Sequence, residues 1–157
     1  MRALIIGVLL VLTSVAPLAA GPGTLRPFST IEVMEIENKR NAQGKKLPDE
    51  WVPRVREQIR YAVGSQHLFH RVEDQVDAMV KGEDTGRTIR LQVRITDFSG
   101  VQTQPTIKAA VVFLDKATGE KILEQNVDAH LYFDQGATTS ALIKLTNKVG
   151  DLVKNNW

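Results

Sequence analysis

Ile89-Arg90-Leu91-Gln92-Val93-Arg94-Ile95-Thr96 decides the fold. Ile89, Leu91, Val93 and Ile95 alternate with Arg90, Gln92, Arg94 and Thr96, the period-two pattern of a half-buried strand with one polar face. Residues 99–105 make a connection. A second strand then sets Ile107, Ala109, Val111 and Phe113 on one side and Lys108, Ala110, Val112 and Leu114 on the other, so that it is apolar on both faces. Asp115-Lys116-Ala117-Thr118-Gly119 is tight-turn chemistry, because Gly119 accepts a positive φ that side chains resist. The returning strand places Leu123, Val127, Ala129, Leu131 and Phe133 against Glu124, Asn126, Asp128, His130 and Tyr132. These three strands form a meander.

Downstream, Gly136 to Ser140 opens a helix whose apolar stripe is Leu142, Leu145, Val149, Leu152 and Val153. Upstream, residues 74–87 are mostly polar loop, with one helical turn expected at Val76 to Val80. Leu68 to Val72 reads as a short strand. Before it, Pro48, Asp49 and Glu50 are helix-start signals, which confines Pro53 to the first turn. Val52, Val55, Ile59, Ala62 and Val63 then recur at helical spacing as far as Gly64. Thr30 to Glu37 reads as the first strand. Its apolar residues change phase, Ile31 and Val33 on one face and Met34 and Ile36 on the other, which implies a bulge or burial on both faces. Residues 21–29 read as a linker, with Pro22, Pro27, Gly21 and Gly23. The order β-α-β-β-β-β-α predicts a single α+β domain over 30–157: a two-layer sandwich, mainly antiparallel, with both helices on one face.

Residues 1–20 carry a positive start at Arg2, an apolar run from Ala3 to Leu12 and small residues up to Ala20. Those are the parts of a secretory signal peptide. The run is shorter than the about 20 apolar residues a bilayer span needs, so no stable span is expected once the signal is removed. The chain has no cysteine, which excludes disulfides and the lipidated Cys of a bacterial lipoprotein. Lys plus Arg total 20 against 18 Asp plus Glu, so no basic excess points to nucleic acid. A periplasmic or extracellular bacterial location is expected.

Three phrases carry a resemblance: Leu68-Phe69-His70-Arg71-Val72, Ile95-Thr96-Asp97-Phe98-Ser99-Gly100, and Phe113-Leu114-Asp115-Lys116-Ala117-Thr118-Gly119-Glu120. Together they resemble a family of small exported bacterial proteins of unknown function, often lipoproteins. That family is related in fold to the periplasmic domain of the curli secretion channel and to the amino-terminal domain of TolB. The resemblance spans Thr30 to Trp157 and implies a non-enzymatic envelope protein without catalytic residues. The missing lipidated Cys departs from the family's common form.

The catalytic motifs are thin. Asp84-Thr85-Gly86 matches an aspartic-protease tripeptide, but it occurs once, in a polar loop, and the chemistry needs two aspartates sharing a proton. His67, His70 and His130 could contribute to a zinc site with Glu73 or Asp74, yet a strand would point His67 and His70 to opposite faces. Ser65 lies near His67 in sequence without a nucleophile elbow, and Gly44-Lys45-Lys46 lacks the glycine run of a phosphate loop. No cofactor and no metal are expected, and a hydrolase has no paired constellation to carry it.

The second strand is the oddity. With both helices on one face, Ala110, Val112 and Leu114 point to the uncovered one, where an apolar patch would mark an interaction surface. Arg90, Arg94 and Lys108 would form its polar rim. The function expected is therefore a non-catalytic cell-envelope protein that binds another envelope protein or itself. The alternative is a periplasmic small-molecule or carbohydrate-binding module using Arg90, Arg94 and Tyr132.

Overall fold

Alternation across Thr88–Ser99 produces one twelve-residue strand, and the rest of the sheet assembles around it. The computed structural model describes residues 21–99, 105–130 and 137–157. In chain order the elements are β1 (Thr30–Val33), β2 (Glu37–Asn38), α1 (Val52–Gly64), β3 (Arg71–Val72), β4 (Gln75–Val76), β5 (Thr88–Ser99), β6 (Thr106–Asp115), β7 (Lys121–His130) and α2 (Ala137–Asn155). The fold is α+β, a seven-stranded open sheet of order β4-β3-β1-β5-β6-β7, with β2 also alongside β5. The expected signal peptide and the residues Leu131, Tyr132 and Phe133 lie outside the described residues.

The three long strands are antiparallel neighbours, as the meander predicts. The sheet as a whole is mixed, because β1 runs parallel to both β3 and β5, and β2 runs parallel to β5. The phase change in the first strand has a simple origin. Val33 pairs with Leu91 and Glu37 with Arg94, four steps on one strand against three on the other. One extra residue is accommodated there, which moves the buried position from Val33 to Ile36. A second shift between Ile95 and Asp97 does the same in β5, so that Phe98 points inward after Ile95.

Helix α1 follows a 3-10 turn at Asp49–Trp51, and Pro53 sits within its first two positions, where a missing N–H costs nothing. Both helices cover the same sheet face. Val55, Ile59 and Val63 of α1 and Leu142, Leu145, Val149 and Val153 of α2 join Ile31, Leu91, Val93, Val111 and Phe113 in one core. Gly150 lets the helices approach closely: a Cβ there would lie 3.4 Å from the Cβ of Ala62.

Three expectations change. The short strand expected at Leu68 to Val72 is reduced to Arg71–Val72, which turns straight back into β4, so Val76 lies in a strand rather than a helical turn. The segment read as a linker is packed down, with Leu25 and Phe28 in the core. The Leu25 N–H donates to the carbonyl of Asn156, and Arg26 Nε donates to that of Trp157, fixing this segment on the end of α2. Isolated apolar residues between Gly and Pro show no period, so their burial follows from tertiary packing alone.

Candidate functional site

The sheet face away from the helices holds all six residues singled out in the sequence. Cross-strand register places Ala110 between Arg94 and Asn126, Val112 between Gln92 and Glu124, and Leu114 beside Arg90. Lys108 is exposed and Leu114 half-buried. Ala110 and Val112 are 4% and 7% exposed although no helix among the described residues covers them. Their register neighbours on this face, Arg94, Asn126, Gln92 and Glu124, are all polar, and the stems of such side chains cover small residues between them while the heads stay in water.

Ion pairs hold that roof in place. Arg90 Nε donates to Glu32 at 3.2 Å, and Lys116 reaches the other Glu32 oxygen. Arg94 Nε donates to Glu37 at 2.8 Å, Lys39 lies 3.4 Å from the same carboxylate, and the Gln92 amide donates to its second oxygen. Lys108 stands 4.0 Å from Asp97. Burial pushes the Glu32 carboxyl up, but the hydrogen bonds from Lys116 and Arg90 outweigh it and hold the group below its ordinary value. The Arg94 hydrogen bond is the main reason Glu37 is also held low. Both carboxylates therefore stay ionised well into mild acid, and the face remains a mosaic of both signs.

Glu32, Glu37 and Lys116 anchor this face and were not singled out in the sequence. Glu32 is the polar alternate between Ile31 and Val33, which signals an outward position. Its partner Arg90 becomes visible only once β1 is known to lie beside β5.

The other motifs resolve into local structure. Asp84 accepts from Ser29 Oγ at 2.6 Å and from the Gly86 N–H at 3.0 Å, so it ties its loop to the start of β1. The Ser29 hydroxyl is the main cause of its lowered pKa. Ser65 Oγ donates to the carbonyl of Ala62 at 3.2 Å within the last turn of α1. His67 lies in the turn after α1, adopts a positive φ and pairs with Asp77, whereas His130 ends β7 beside Thr106 and Asp128. Among the described residues no group of three or more His, Asp or Glu could hold a metal ion. Asn41 Oδ1 accepts from the N–H groups of Gln43 and Lys45, closing the Gly44 loop on itself.

Neither a family model nor a curated protein matches the chain in sequence. Solved structures do match in three dimensions. A dodecameric PelC variant from Paraburkholderia phytofirmans aligns with a TM-score of 0.58 at 14% identity, covering 88% of this chain and 95% of that one. Protein CT253 from Chlamydia trachomatis gives 0.55 at 10% identity, covering 82% and 97%. XCC0632 from Xanthomonas campestris, of the family DUF330, gives 0.53 at 11% identity, covering 88% and 87%. The chain shares their fold. The alignments cover most of this chain and of each partner, so the likeness extends over the α+β unit as a whole rather than a fragment of it. Among the described residues no helix is long and apolar enough to cross a membrane.

Proposed function

We propose that the protein is an exported, non-catalytic component of a bacterial cell envelope that works by binding another envelope protein or further copies of itself. The surface proposed for that contact is the open sheet face, where Arg90, Arg94, Lys108 and the half-buried Leu114 are presented. Ala110 and Val112, expected as an exposed apolar centre, are instead buried beneath this face and support it from below. The observation that carries the reading is this face itself: a broad sheet surface, uncovered by helices, fixed by ion pairs and stocked with both charge signs. Such mosaics favour selective partner recognition, since a mismatched surface meets like charges. The fold shared with a protein that assembles as a dodecamer supports self-association as one form of the contact. The kinship in fold with the curli channel domain and the TolB amino-terminal domain belongs to the same proposal.

A photo-crosslinking side chain at Leu114, introduced in cells, tests the reading for either kind of partner. A discrete crosslinked species, lost in the Arg94→Glu/Lys108→Glu variant while that variant keeps a folded circular dichroism spectrum, is the expected result. No crosslink above that of a control position on an exposed loop overturns it.

A further inference from the structure

The opposite side of the molecule carries a second feature. Tyr61 projects from α1 with 79% of its surface exposed, the most of any large apolar side chain among the described residues. It stands between two grooves. One, of about 540 Å³, is lined by Gly64, His67, Val72 and Val76. The other, of about 680 Å³, runs between α1 and α2 past Ala62, Ile143, Thr146 and Gly150. Ile143 is 45% exposed on the far wall of this second groove. A protruding aromatic beside a groove large enough to receive it makes one surface both knob and hole, the requirement for an isologous contact.

The charges on this surface point the same way. Arg54, Tyr61 and Ser65 repeat along one stripe of α1 at helical spacing. Arg54 lies over the ring of Trp51, 5.6 Å from its centre, and has no carboxylate partner among the described residues. Asp151 of α2 likewise has no cationic partner among them and lines the α1–α2 groove. Arg54 precedes Tyr61 by seven residues, about 10 Å along the helix axis. The contact of Gly150 with Ala62 and Gln66 places Asp151 on the other side of Tyr61, roughly one turn beyond it. This cation and anion thus lie on opposite sides of the knob, about two turns before it and one turn beyond it. A two-fold axis passing midway between Arg54 and Asp151, within a turn of Tyr61, would set Arg54 of each copy against Asp151 of the other.

We infer that the α1–α2 layer is a self-complementary surface on which a second copy of this chain docks antiparallel, seating Tyr61 in its partner's groove. This extends the self-association arm of the proposed function to a surface distinct from the sheet face, and it is tested separately. Sedimentation mass as a function of concentration should show a dimer in the unaltered protein and in Arg94→Glu/Lys108→Glu. Arg54→Asp and Asp151→Arg should each shift the dimer to monomer, with at least a tenfold weaker dissociation constant, because each puts like charges together twice. The double variant Arg54→Asp/Asp151→Arg should recover the dimer, since the pair is only exchanged. Both residues are exposed, so circular dichroism melts should be unchanged in all three. The inference is overturned by a monomer at every concentration, by single variants that still dimerise, or by a double variant that fails to recover. Loss of the dimer in Arg94→Glu/Lys108→Glu alone would instead assign self-association to the sheet face.

Discussion

Single side chains on this protein act chiefly by anchoring others. Asp115 is the clearest case: it is 6% exposed, caps the β6–β7 turn through the Ala117 N–H at 2.8 Å, and accepts from Arg87 Nη2 at 2.7 Å. Arg87 in turn lies over the ring of Phe28, 4.5 Å from its centre, so the turn, β5 and the amino-terminal segment share one charge. The Arg87 hydrogen bond holds the Asp115 carboxyl below its ordinary value of 3.8. Asp84 is held low mainly by Ser29, and Glu37 mainly by Arg94. For all of these groups the folded pKa lies below the unfolded one. Their contribution is therefore complete above the unfolded values, 3.8 for Asp and 4.5 for Glu, and is lost as the pH falls through the lowered folded values. The melting temperature should be flat from neutral pH down to about 5 and decline steadily below about 4.5. Asp115→Asn, which cannot be ionised, should flatten part of that decline and start from a lower neutral plateau. A melting temperature that rises on acidification from pH 5 to 3 would contradict this account.

At the level of elements, legibility in the sequence followed the range of the interaction. Periodicity within one strand or helix is local, so β5, β6, α1 and α2 were readable, as was the extra residue between β1 and β2. Pairing is not local. Nothing in Thr30 to Val33 states that its neighbours are β3 and β5, both parallel, and nothing between Gly21 and Pro27 states that Leu25 lies under the end of α2. The shielding of Ala110 and Val112 was hidden for the same reason, since it depends on side chains two strands apart. Gly150 shows how such contacts set the distance between elements. A Cβ at this position would stand 2.9 Å from Gln66 Nε2 and 3.4 Å from the Ala62 carbonyl, and Gln66 Nε2 already donates to the Gly150 carbonyl at 2.7 Å. Gly150→Ala gains about 1 kcal/mol of helix propensity and can displace the flexible Gln66 end, so its net effect should stay within about 1 kcal/mol. Gly150→Val adds branches that meet the α1 backbone and should destabilise by about 2 kcal/mol in a urea titration. Equal effects for the two variants would mean that the helices are not held at the separation seen here.

For the whole molecule, two layers must suffice, because no helix among the described residues covers the open sheet face and the chain has no cysteine to form a disulfide. Stability should therefore be concentrated where strands have neighbours on both sides and helices above them. Strands β5 and β6 meet that condition: β5 lies between β1 and β6, and β6 lies between β5 and β7. Leu91, Val93, Val111 and Phe113 are each fully buried on the helix side. Their amides can exchange with solvent only when the core itself opens, so they should report the global unfolding free energy. The two-residue strands β3 and β4 end the sheet on one side, and both residues of β4 are exposed. Opening that edge breaks few contacts, so its amides should exchange orders of magnitude faster. Native-state hydrogen exchange read by mass spectrometry or NMR distinguishes the two zones directly. Slowest exchange in the β3–β4 corner, or uniform protection across the sheet, would show that the centre of stability does not lie in the β5–β6 pair.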